Sequence, residues 1–151
     1  MGLFYTVSRS NVTMNTSNDL ATLIGAATRS YRIVELAVVG MATQSTAGEL
    51  GVFRCSVAGT TGGGAITPTP QNPAQNASGF TVSSTWSVQP TVGAIIRRFP
   101  FNANGGVFRF VIPPLQGGLE SPGGANAAAT LCVRPTIGAF ACSLEIVVEE
   151  F

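Results

Sequence analysis

Residues able to do acid–base, nucleophilic or metal chemistry are scarce in this chain. Its 151 residues include no histidine, no lysine and one aspartate, Asp19, beside six glutamates, eight arginines and three cysteines. Groups whose pKa can be brought near neutrality carry most general acid–base work, and arginine is not among them. Glu149 and Glu150 are adjacent, so on a strand they point to opposite sides and do not converge as a hydrolytic carboxylate pair. They read as a solvated chain end. Glu35 and Glu145 fall inside strand-like runs, where neutralising arginines is the simpler role. Cys55, Cys132 and Cys142 lack C-x-x-C spacing and have no histidine to complete a zinc site. Without an export signal, they read as free, buried thiols packed as small hydrophobes. Cys132 and Cys142 also flank a predicted hairpin, where a disulfide between them is conceivable. No catalytic residue, metal site or cofactor is expected.

Two stretches invite a binding role. Residues 59–78 begin rich in glycine, but lack the Gly-Lys-Ser/Thr ending and following helix of a phosphate loop. The expected structure is a flexible tip at residues 62–64 running into a stiff, polyproline-like arm with Thr67, Pro68, Pro70 and Pro73. The second stretch starts at Trp86. A lone tryptophan can be a sugar platform, but core or interface packing is the commoner use of so large a side chain. Arg97 and Arg98 point to opposite faces of a strand, so both are not expected as solvent decoration, and one would pair across a subunit boundary. Arg97, Arg98, Phe99, Phe101 and Arg109 make a basic–aromatic set. With a formal net charge of +1 and no lysine, it would bind nucleic acid weakly.

Composition bounds the rest. The length suits one domain, residues 1–151, and charged residues are 10% of the chain against about 25% in ordinary soluble domains. Such a surface calls for cover by another molecule. No run is long and apolar enough for a membrane span, and the N-terminus lacks a secretory signal's pattern. Gly2 with Thr6 matches myristoylation only loosely, and the triplets at Asn11, Asn15 and Asn76 read as chance.

Eighteen glycines and nine prolines divide the chain too often for long helices. Between them lie strand-like runs at residues 3–8, 29–39, 50–57, 80–84, 94–99, 107–112, 128–133 and 139–149. In the run at 29–39 the early alternation gives way to near-continuous apolarity, which predicts burial on both faces at its end. For 50–57 the face Gly51, Phe53, Cys55, Val57 is expected inward. In 139–149 the inward face is Cys142, Leu144, Ile146 and Val148. Arg134-Pro-Thr-Ile-Gly138 is the hairpin turn between the last two runs. Residues 18–27 suit either two helical turns or a strand through 19–24. Residues 1–18, poor in core formers after Val7, form a possible N-terminal arm that orders on a neighbour. The fold class is all-β, a single antiparallel β-sandwich of jelly-roll-like type.

The order of motifs carries a resemblance. Gly62-Gly-Gly-Ala-Ile-Thr-Pro-Thr-Pro-Gln-Asn-Pro73, Trp86, Arg98-Phe-Pro-Phe-Asn-Ala-Asn-Gly-Gly-Val-Phe-Arg-Phe110 and a terminal Val-Val-Glu-Glu-Phe resemble small virion proteins of tailed bacteriophages. The resemblance implies a capsid decoration (cement) protein of β-sandwich type, commonly a homotrimer. It would be made in the host cytoplasm and seated on the major capsid protein. It brings no catalytic residues. The interface residues expected on this reading are Thr67, Pro68, Pro70, Pro73, Trp86, Arg97, Arg98 and Phe101. Nucleic acid and membrane are not expected partners. A head-fibre or tail-associated receptor- or carbohydrate-binding module on a trimeric jelly roll has the same sequence build.

Overall fold

A computed structural model describes residues 2–60, 64–113, 119–121, 124 and 129–151. Among them are twelve strands and no helix: β1 (Leu3–Thr13), β2 (Ala21–Ile24), β3 (Tyr31–Gly40), β4 (Ala47–Val57), β5 (Gly64–Ile66), β6 (Thr69–Pro70), β7 (Thr81–Ser84), β8 (Thr91–Asn102), β9 (Val107–Val111), β10 (Glu120–Ser121), β11 (Thr130–Ile137) and β12 (Ala141–Glu150). They form two antiparallel sheets packed as a sandwich. The first has the order β10-β3-β12-β1-β6, with β9 also on β3, and the second β5-β7-β2-β11-β4-β8.

The two-residue side-chain period decides what lies between the sheets. In β12 Cys142, Leu144, Ile146 and Val148 are buried inward, as expected, and they meet Leu23, Leu50, Val52, Leu131 and Val133 of the second sheet in one core. In β3 a bulge at Val34 resets the alternation, because Val147 pairs with Glu35 but Val148 with Ile33. Tyr31 and Ile33 before it, and Leu36 and Val38 after it, therefore all face inward. The expected double burial at the end of this strand does not occur: Ala37 and Val39 lie half-buried on the outer face. Tyr31 and Phe80 stack at 5.5 Å between ring centroids, with Tyr5 edge-on to Phe80 at the same distance. The Tyr31 hydroxyl donates to the Leu23 carbonyl at 2.7 Å and accepts from the Leu131 N–H at 3.3 Å, tying the sheets together. Burial pushes that phenol's pKa well up.

Several expectations are corrected. Most of the expected N-terminal arm is a strand of the sandwich: β1 pairs with β12 at Leu3–Arg9 and at Val12–Thr13, on either side of a bulge. Backbone N–H and C=O groups pair whatever the side chains, so the polar residues after Val7 do not prevent a strand. Of the two alternatives for residues 18–27, the structure has the strand, β2, and not the helical turns. The inward face of β4 is Leu50 and Val52, while Gly51, Phe53 and Cys55 lie on the outer side. There is no hairpin at Arg134–Gly138: β11 runs on to Ile137, the chain turns at Gly138 (φ +119°), and β12 then joins the other sheet. Cys132 and Cys142 are consequently in different sheets. The disulfide is Cys55–Cys132, between adjacent strands of the second sheet, and Cys142 is a free buried thiol.

Candidate functional surface

The expected interface residues separate when placed on the fold. Thr67 and Pro68 link β5, on the edge of the second sheet, to β6, on the edge of the first, so the segment straps one open side of the sandwich. It packs on its own chain and is not a projecting arm. Pro70 lies opposite Tyr5, and the Gln71 N–H donates to the Phe4 carbonyl at 2.9 Å. Thr67 and Pro73 are exposed, Pro68 and Pro70 half-buried. Of the expected tip at residues 62–64, only Gly64, the first residue of β5, is within the described residues. Phe101 is not at a surface: it is 6% exposed, with ring centroids 6.0 Å from Phe108 and 5.8 Å from Phe140. Arg97 and Arg98 are both exposed on the outer strand β8, contrary to the expectation that both could not be. Arg98 pairs within the chain, at 2.6 Å from Glu49. The hydrogen bond from Thr136 and the pair with Arg98 hold the Glu49 carboxyl below the ordinary glutamate range.

Trp86 is half-buried and anchors a polar network that the sequence reading did not single out. Its indole Nε1 donates to Thr22 Oγ1 at 2.9 Å, and Thr22 donates to Asp19 Oδ2 at 2.7 Å. The other Asp19 oxygen accepts from Arg134 Nε at 2.6 Å, and Arg134 also donates to the Pro90 carbonyl at 2.9 Å. Asp19 is 3% exposed. Its carboxyl is raised above the ordinary aspartate value because desolvation outweighs the lowering by Thr22 and Arg134. The network lies on the outer side of the second sheet, where the loop after β7 closes over it. The available signal was a single aspartate just before an apolar run in a chain with almost no other charge.

Three further acids are held by arginines. Glu149 and Glu150, expected as a solvated end, are not solvated: Arg32 lies 2.6 Å from Glu149, and Arg29 lies 2.9 Å from the 1%-exposed Glu150 side chain. The Gly79 N–H donates to Glu150 as well, at 2.9 Å. Glu35 neutralises Arg109, as expected, through two bonds of 2.5 and 2.7 Å. These carboxylates are held in separate pairs, and among the described residues no three His, Cys, Asp or Glu side chains come together to hold a metal ion.

The outer face of the first sheet carries an open apolar surface. By alternation Phe4 and Thr6 of β1, Glu145 and Val147 of β12, Ala37 and Val39 of β3, and Val107, Arg109 and Val111 of β9 all point outward there. Val107 and Val111 are each 68% exposed. Two shallow grooves of about 390 and 580 Å³ run over this face and share Glu145. The Arg109–Glu35 and Arg32–Glu149 pairs sit among the apolar side chains and cancel locally, and Glu145 adds a single exposed negative charge beside them. Comparison with protein-family models, curated proteins and solved structures finds no match.

Proposed function

We propose that this chain is a structural virion protein that binds and stabilises a bacteriophage capsid, a decoration protein acting without catalysis. The observation that carries the reading is the outer face of the first sheet. It is a broad platform with Val107, Val111 and Phe4 uncovered, with Arg32 and Arg109 already paired to Glu149 and Glu35, and with Glu145 as an acid outside those pairs. Such a face gains by covering apolar area and offers little long-range electrostatic attraction. A docking partner that matches it is a protein surface of similarly low charge, here the major capsid protein where its subunits meet. A homotrimer would place three such faces on a local threefold of the shell. Trp86 is half-buried, its N–H bonded to Thr22 and its ring close against Gly59, so it serves the packing of this chain and speaks less for the receptor- or sugar-binding alternative.

The test is co-sedimentation of the purified chain with capsids of the bacteriophage that encodes it. Saturable retention is expected, weakening only modestly as salt rises from about 0.05 to 0.5 M. Val107→Lys/Val111→Lys, which touches two exposed outward positions, should abolish retention while the strand circular dichroism stays unchanged. A folded wild-type chain that never co-sediments would refute the reading.

A further inference from the structure

We infer that Cys55–Cys132 is a removable redox staple whose exchange is gated by the first half of β8. Cys132 lies opposite Phe53, and Cys55 is two residues further along β4, so the sulfurs form a diagonal pair on one face of two strands already paired by the backbone ladder. The ladder and the core beneath, which excludes both sulfurs, define the sandwich before the bond closes. The reduced chain therefore reaches the same fold.

Access to the two sulfurs is unequal. Cys132 is 0% exposed in β11, flanked by β2 on one side and β4 on the other. Cys55 is 5% exposed, and its other neighbour is Val92 of the outer strand β8. The β4–β8 register shifts on both sides of this pairing, between Phe53 and Cys55 and again between Cys55 and Val57. A ladder interrupted on both sides opens more readily than the continuous one around Cys132. Arg134 pins the start of this stretch through the Pro90 carbonyl, and Ile95 meets Phe53 above Gly51. Opening of residues 91–95 exposes the Cys55 sulfur first.

Closure by a small-molecule disulfide runs in two exchanges. The Cys55 thiolate attacks one sulfur of the reagent, forming a mixed disulfide and releasing one small thiolate. The Cys132 thiolate then attacks the Cys55 sulfur and displaces the second. The protons lost by the two cysteines end on the two released thiols. Cys142 takes no part: it is 0% exposed on the inner face of the other sheet, and burial raises its pKa to about 11.

The experiment treats the oxidised full-length chain with dithiothreitol under native conditions, quenches with an alkylating reagent and reads intact mass against time. Two alkylations are expected, at Cys55 and Cys132, with Cys142 unlabelled and a cooperative melt retained. Ile95→Ala should speed reduction on the order of ten-fold, because it loosens the gate. Val148→Ala, a core change in the first sheet, should leave the native rate nearly unchanged. Equal acceleration by both variants, or simultaneous labelling of all three cysteines, would mean that reduction follows global unfolding and would overturn the gate. A Cys55→Ser/Cys132→Ser variant that does not fold would overturn the staple.

Discussion

Removing the Asp19 carboxylate separates two contributions that are normally measured together. Asp19→Ala leaves the Arg134 guanidinium, 11% exposed, without the partner that sits 2.6 Å away, and also leaves Thr22 without its acceptor. Stranding one member of a buried pair costs about 3–5 kcal/mol. For a domain of this size that lowers Tm by roughly 6–20 °C at about 2–4 °C per kcal/mol. Asp19→Asn is different, since its side chain keeps the shape and an acceptor while discarding the charge. The folded-state pKa of Asp19 is raised, so ionising this group costs more in the folded chain than in the unfolded one. Its stabilising contribution is full below the ordinary aspartate value and is lost as pH rises through the raised folded value. The neutral asparagine escapes that loss. Asp19→Asn should therefore match or exceed the wild type at pH 7, and the difference should shrink as pH falls toward the ordinary aspartate range. Chemical denaturation of the three proteins between pH 4 and 7 measures this. An Asp19→Asn variant as unstable as Asp19→Ala at pH 7, with a gap that does not close on acidification, would refute the reasoning.

Other outcomes follow from the same geometry. Glu49 has the opposite sign: its depressed carboxyl contributes stability above the ordinary glutamate value that is lost as pH falls through the folded one, and Glu49→Gln should flatten that part of the acid denaturation curve. Gly40→Ala puts a methyl carbon 2.4 Å from the Ala103 Cα, a backbone atom that cannot swing away, so a loss of about 1–3 kcal/mol or more is expected in equilibrium unfolding. Reducing the disulfide should lower Tm without abolishing the melt. The 77-residue separation of Cys55 and Cys132 sets a loop-closure ceiling of about 4.5 kcal/mol, read by calorimetry with and without reductant. Tyr31→Phe removes the hydroxyl that bridges Leu23 and Leu131, with an expected cost of about 1–3 kcal/mol in urea unfolding.

Sequence alone determined what depends on near neighbours along the chain. Alternation marked the inward row Cys142, Leu144, Ile146, Val148, and the frequent glycines and prolines excluded long helices, which together define an all-β sandwich. The arginine partner of Glu35 was foreshadowed only as a type of contact, not as Arg109. Pairing itself joins residues far apart: Leu3 to Glu150, Cys55 to Cys132, Asp19 to Arg134. No local pattern specifies such partners, because strand choice depends on which arrangement buries every apolar face at once and leaves no backbone group unpaired. The polar half of β1 looked like a loose arm for that reason, yet tertiary structure made it a strand by giving it the β12 backbone. Gly138 marked a turn in the sequence. Only the packed molecule decided that the turn carries the chain from one sheet to the other, which separates Cys142 from Cys132 and leaves Cys55 as the partner.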